Sequence, residues 1–272
     1  MNVESCRERN DMGKTNNLEL RAEIAKLVHA SGEGHIPSCF SILDIVERLY
    51  AQHINRYLVG SSNPDRDFFI LSKGHGALAL YVVLKKFGLI SSAELSSYGQ
   101  AGSAFAGHPD RTKHDVIEAS TGSLGHGFPM AVGVALGKQI KRSGGRVFTL
   151  VGDGETHEGT IWEAAHFAAN HSLGNLVAIV DRNESALQLL KRDDTESKFK
   201  AFGWNVLSAD GHSKKEIDAA LSSSVASEIP TVIVAKTIKG KGVPFLQGHG
   251  QWHHKIPTDI DLQAILRELG SS

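Results

Sequence analysis

The chain has 272 residues, with 29 Lys+Arg against 30 Asp+Glu and a formal net charge of −1 at pH 7. That balance leaves no basic stretch for nucleic acid or an anionic membrane, and no apolar run approaches the roughly 20 residues of a membrane span. Two cysteines, Cys6 and Cys39, cannot build a disulfide framework, so reduced thiols in a cytoplasmic protein are expected.

A chain of this length buries a full core and fits one large α/β domain. Residues 1–17 are polar and charged without apolar periodicity and read as a disordered or loosely attached tail, leaving 18–272 as the domain. Leu20, Ile24, Leu27 and Val28 follow helical spacing until Gly32 and Gly34 stop the helix, and Ile42, Ile45, Val46 and Leu49 mark a second one. Residues 68–71 form a short apolar strand ended by Lys73-Gly74-His75-Gly76, and residues 77–87 a helix closed by Gly88. Residues 97–119, punctuated by Gly, His and Pro, read as a long functional loop. A helix is predicted over 127–141, strands over 147–151 and 176–180, and a helix over 161–169 between those strands. Strands at 205–207 and 231–235 flank a helix at 217–221. Alternating helices and buried strands predict an open, mainly parallel sheet with helices on both faces, without repeats or an internal domain boundary.

The run Gly152-Asp153-Gly154-Glu155-Thr156-His157-Glu158-Gly159 begins where one strand ends, and Asn183 follows Asp153 by thirty positions, just past the next strand. Parallel strands joined by a helix end on the same sheet edge, so Asp153 and Asn183 can converge on one hard cation. An acidic oxygen, an amide oxygen and a glycine-lined helix start suit a Mg²⁺ or Ca²⁺ diphosphate. Taken alone, Gly-Asp-Gly is equally ordinary turn sequence; the flanking strand and helix and the distant Asn183 turn it towards cofactor binding.

These words resemble the signature of thiamine-diphosphate enzymes. Gly34-His35, Leu71-Ser72-Lys73-Gly74-His75, Gly107-His108-Pro109 and Ser120-Thr121-Gly122-Ser123-Leu124-Gly125 narrow the likeness to the transketolase family. The match runs from about Leu18 to about Leu269 and covers only that family's amino-terminal, diphosphate-binding half. It is similar to the separate amino-terminal subunit of split bacterial transketolases.

The resemblance implies thiamine diphosphate and Mg²⁺ as cofactors, with Ca²⁺ or Mn²⁺ able to substitute. Asp153 and Asn183 would be metal ligands, the backbone carbonyl of Ser185 a third. Gly152, Gly154 and His75 would hold the diphosphate, and Gly122 and Leu124 would cover the aminopyrimidine. His108 would bind the donor's terminal hydroxyl, while His35 and His253 would bind donor hydroxyls and move protons, which imidazole can do near neutral pH. Glu158 is either an acidic residue favouring a helix start or, by resemblance, the group that meets the catalytic glutamate of the neighbouring half. In the family it resembles, the glutamate that activates the cofactor and the pyrimidine pocket belong to the following domain. Also implied, therefore, are sugar phosphate substrates, a heterotetramer and a carboxyl-terminal partner subunit.

Four departures from the family pattern stand out. The loop 184–191 after Asn183 is lengthened and lacks an Asp-Gly turn, Pro37-Ser38 replaces Gly-Gly, and His126 and His254 stand where Gln and Gly are usual. Two rival readings are the α subunit of a thiamine-dependent 2-oxo-acid dehydrogenase, not expected to carry the four histidines, and a catalytically silent subunit of the same fold.

Overall fold

The computed structural model describes residues 17–185, 194–248, 250 and 252–271. Residues 1–16, with Cys6, and the altered stretch beyond Ser185 lie outside that set. Helices run in chain order α1 (Asn17–Ser31), α2 (Ile36–Arg48), α3 (Ala77–Lys86), α4 (Ser92–Ser96), α5 (Gly127–Lys141), α6 (Gly159–Asn170), α7 (Thr195–Ala201), α8 (Lys214–Ser224) and α9 (Asp259–Glu268). Asn17, assigned to the tail from sequence, instead opens α1 and donates its amide to buried Asp44 at 2.6 Å.

The strands β1 (Phe68–Leu71), β2 (Val147–Gly152), β3 (Leu176–Arg182), β4 (Asn205–Asp210) and β5 (Thr231–Lys236) form one parallel sheet in the order β1-β2-β3-β5-β4. Successive side chains alternate between the two faces. Ile70, Val151, Ala178, Val180, Val232 and Val234 pack with residues of α5, α6 and α7. Phe69, Leu150, Val177, Ile179 and Ile233 pack with residues of α1, α2, α3, α8 and α9. Burial on both faces explains why the central strands read as continuous apolar runs rather than alternating ones. No helix among the described residues is long and apolar enough to cross a membrane.

The elements differ from expectation in ways that bear on the site. Helix α2 begins at Ile36, six residues before the expected apolar stripe. Pro37 lies in its first turn, where the missing N–H is not needed. Strand β3 runs on to Arg182, which places Asp181 inside the sheet. The loop after α4 has little regular structure, as expected, yet it is fastened: Phe105 is fully buried, the Tyr98 hydroxyl donates to the Glu33 carbonyl, and the Gly107 N–H donates to the Glu33 carboxylate. Cys39 is a buried free thiol whose pKa is pushed up to about 11 by burial.

Candidate active site

The carboxyl ends of parallel strands gather the loops that follow them, which is where open α/β sheets bind ligands. Gly152 of β2 lies opposite Asp181 of β3, and the Asp153 N–H donates to the Asp181 carbonyl at 3.2 Å. Asp153 and Asn183 therefore follow the ends of adjacent strands, as the sequence predicts. The Asp153 carboxylate is buried and accepts from the Gly154 N–H at 2.7 Å. The Asn183 amide nitrogen donates to Asp181 at 2.9 Å and to Ser41 at 3.1 Å, while its oxygen accepts from the Ser185 N–H at 3.0 Å.

Four expected histidines converge, although they lie up to 218 residues apart. The His35 ring centroid is 5.5 Å from that of His75, 6.5 Å from His108 and 5.4 Å from His253. His254 joins them, 4.6 Å from His35. By contrast, His126 turns back to the Leu124 carbonyl at 3.0 Å and stays exposed.

Burial disfavours the charged form of three of these imidazoles, His35, His75 and His253. Burial, reinforced by the neighbouring His254, His253 and His108, lowers His35 to about 4 against the opposing pull of its bond to the His253 carbonyl. Burial and then Lys73 push His75 well below the usual histidine range. Burial and Lys239 lower His253. Hydrogen bonds also fix the tautomers. His35 Nδ1 donates to the His253 carbonyl at 2.9 Å, which leaves Nε2 as an acceptor. His253 Nδ1 accepts from the Lys239 ammonium at 3.0 Å, which leaves Nε2–H as a donor.

Gly74 and Gly122 are glycines for steric reasons. A Cβ on Gly74 would come within 2.8 Å of the Thr121 and Gly122 backbone, and one on Gly122 within 2.9 Å of the His108 ring. The 120–125 loop is thus pressed against both His75's turn and His108. Leu124 is 37 % exposed, enough to offer an apolar surface. Glu158 is exposed at the start of α6 and makes no capping bond with its side chain. As the N-cap residue it adds its charge but no side-chain hydrogen bond to the helix start, and its side chain is exposed.

Residues without a role legible from local sequence hold this arrangement together. Asp181 is fully buried and accepts from Lys73 at 2.5 Å, Ser41 at 2.6 Å, Thr237 and Asn183. Glu155, 1 % exposed, accepts from Ser72, from the Gly125 N–H at 2.9 Å and from the Gly152 N–H at 3.2 Å. It ties together three loops of the site, and burial raises its pKa despite these donors. His212 donates to Asp44 and accepts from the Ile238 N–H at 2.8 Å, which fixes the turn carrying Lys239. One signal was available: a charged residue continuing an apolar strand, as Asp181 does after Val180, needs a buried partner.

The residues fit a magnesium diphosphate. Among the described residues no three His, Cys, Asp or Glu side chains gather into a metal cluster. One carboxylate, one amide oxygen and a backbone carbonyl would leave a hard cation dependent on the ligand's own oxygens. Nothing stands within 4 Å of a Cβ built on Gly154, so backbone can be approached closely there. A cavity of about 570 Å³ opens beside Asn183, Lys239 and Gln247. Lys239, its pKa lowered by burial and by Lys73, feels the opposing charge of Asp153 and stands ready for an anion.

A thiamine-diphosphate-binding α/β domain is the class this sheet edge defines. The family model described as "Transketolase, thiamine diphosphate binding domain" matches residues 15–272, and the chain belongs to the transketolase family. It is 37 % identical over 241 residues to one of the subunits of an apulose-4-phosphate transketolase from Actinobacillus succinogenes, covering 87 % of each chain. To a 6-deoxy-6-sulfo-D-fructose transketolase subunit of a Clostridium species it is 36 % identical, covering 91 % of this chain and 90 % of the relative. Human transketolase is 37 % identical over 253 residues, but only 40 % of that protein is covered. The crystal structure of Campylobacter jejuni transketolase superposes with a TM-score of 0.83 at 28 % identity, covering 100 % of this chain and 44 % of that one. The chain thus corresponds to the amino-terminal subunit of a split transketolase and spans less than half of the single-chain enzymes.

Proposed function

We propose that this chain holds the cofactor diphosphate in a two-chain transketolase that moves a two-carbon ketol unit from a ketose, usually phosphorylated, to an aldose. The observation that carries this reading is the convergence of the Asp153–Asn183 strand ends with His35, His75, His108 and His253. Thiamine diphosphate, when bound, supplies the nucleophilic carbon and electron sink for cleaving a bond beside a carbonyl.

The chain's own residues bind, orient and move protons. Asp153, Asn183 and the Ser185 carbonyl would hold Mg²⁺, with Ca²⁺ or Mn²⁺ as substitutes, while Gly152, Gly154, His75 and Lys239 would hold the diphosphate. His35, with Nε2 unprotonated, accepts a hydrogen bond or a proton from a donor hydroxyl, and His253 Nε2–H donates one. His108, beside Gly122, would grip the terminal hydroxyl. Gly122 and Leu124 would cover the aminopyrimidine, whose far side belongs to the partner, and exposed Glu158 would face the partner's glutamate. A heterotetramer with a pyrimidine-binding subunit, in the cytoplasm, completes the proposal; low cysteine content and near-neutral charge agree with that setting.

Reconstitution tests it. The chain, mixed with a partner of the pyrimidine-binding type, is assayed with thiamine diphosphate, Mg²⁺, xylulose 5-phosphate and ribose 5-phosphate. Ketol transfer by the mixture that is lost in Asp153→Ala and Asn183→Ala supports the reading; metal-independent activity, or normal cofactor affinity in either folded variant, overturns it.

A further inference from the structure

Asn183 presents an amide, and an amide can face a cation with its oxygen or, wrongly, with its nitrogen. The two ends have almost the same shape, so the choice is made by the surrounding hydrogen bonds. Here both amide hydrogens have acceptors, the Asp181 carboxylate at 2.9 Å and the Ser41 hydroxyl at 3.1 Å. An ionised carboxylate only accepts, so it rejects the amide oxygen from that position. The oxygen is forced to the other side, where the Ser185 N–H takes one lone pair and the second is left for a ligand.

Asp181 is itself unable to turn. Ser41 and Thr237 donate to one carboxylate oxygen, Lys73 and Asn183 to the other, and the residue is 0 % exposed. Lys73, also buried, is a donor only and supplies the opposite charge that a buried carboxylate needs. Thr237 follows β5, Ser41 lies in α2 and Lys73 follows β1, so three separate elements fix one carboxylate.

We infer that Asp181 is the positioning residue of the cation site: with Ser41 and Lys73 it locks the Asn183 amide so that oxygen rather than nitrogen faces the metal. This rests on the transketolase reading above and adds to it a residue that touches neither substrate nor metal. A buried Lys–Asp pair could alternatively do no more than stabilise the sheet edge. The two roles differ in what they predict for the ion, because a purely structural pair would change melting without changing ion affinity in the folded protein.

The test uses the assembled complex with saturating thiamine diphosphate. Mn²⁺ affinity is read from the paramagnetic resonance of the free ion, and the melting temperature of the metal-free complex is measured alongside. Asp181→Asn is expected to weaken Mn²⁺ at least tenfold. Ser41→Ala, which removes one of the two acceptors without changing charge, is expected to weaken it about threefold in a complex that still folds. Asn183→Asp adds a negative charge to the site, yet is expected to bind Mn²⁺ more weakly, because a second carboxylate oxygen would replace the nitrogen facing Asp181. Wild-type Mn²⁺ affinity in folded Asp181→Asn, or tighter binding by Asn183→Asp, overturns the inference. Should Asp181→Asn not assemble, Ser41→Ala and Asn183→Asp decide the question in the same way. Absence of cofactor-dependent Mn²⁺ binding in the unsubstituted complex would overturn the functional reading itself.

Discussion

Removing the Glu155 side chain should damage the site more than removing any exposed acidic residue around it. Glu155 is 1 % exposed and accepts from two backbone N–H groups, those of Gly125 and Gly152, and from the Ser72 hydroxyl, which in turn accepts from the Phe128 N–H at 3.0 Å. In Glu155→Ala the Ser72 hydroxyl can rotate to a new acceptor, but the two N–H groups cannot. Each buried donor left unpaired costs about 1–3 kcal/mol, a loss of roughly 2–6 kcal/mol in all. Relief from burying a charge, visible in the raised pKa of Glu155, offsets part of this, so a net loss of about 2–4 kcal/mol is expected. Urea unfolding of the purified chain measures it directly. Cofactor titration of the reconstituted complex should show weaker binding too, because the carboxylate joins the Gly152 turn to the 120–125 loop. A stability change below about 1 kcal/mol with unaltered cofactor affinity would refute the claim that this carboxylate holds the loops together.

His108→Ala should weaken donor binding or turnover by about ten- to hundredfold, corresponding to one hydrogen bond of roughly 1.5–3 kcal/mol, while cofactor affinity stays nearly constant; donor kinetics at saturating cofactor beside a cofactor titration separate the two. Gly74→Ala should cost about 1–3 kcal/mol, since its Cβ would meet Thr121 backbone at 2.8 Å, and thermal unfolding is the check. Acid should destabilise the fold through the lowered histidines. Below about pH 6.5 the unfolded chain takes up protons that His35, at about 4, still refuses, so stability falls as pH drops through that window. Glu155, raised by burial, acts in the opposite sense; a shallower pH slope for urea unfolding of His35→Asn than of the unsubstituted chain isolates the imidazole. The chain without a partner should show little or no ketol transfer from xylulose 5-phosphate to ribose 5-phosphate, and robust turnover by it alone would refute the two-chain assembly.

Much of this protein is written in local sequence. Buried parallel strands announce themselves as apolar runs because both faces are covered, so β1, β2, β3 and β5 could be placed, and the order of strands and helices implied the parallel sheet. Asp153, Asn183 and the glycine-flanked histidines were legible because tight turns and ligand contacts impose particular residue types on short words. The start of α2 was not. An expectation built on the apolar stripe at Ile42 passes over the earlier turn, where Pro37 and buried Cys39 and Phe40 belong to the helix.

What holds the site depended on contacts between distant segments. Asp181 carries no role that its local sequence reveals; its meaning comes from Lys73, 108 positions away, from Ser41 at 140 and from Thr237 at 56. Glu158 drew attention by its place in the motif and is exposed, while Glu155, three residues earlier, is the buried carboxylate that binds the loops. His254 met His35 only when the chain folded. Sequence records which chemistry each short segment can offer, since side-chain type and turn geometry are local properties. Charge pairing, tautomer and amide orientation are set by whatever lies across the gap, and only the closed sheet brings those partners within hydrogen-bond reach.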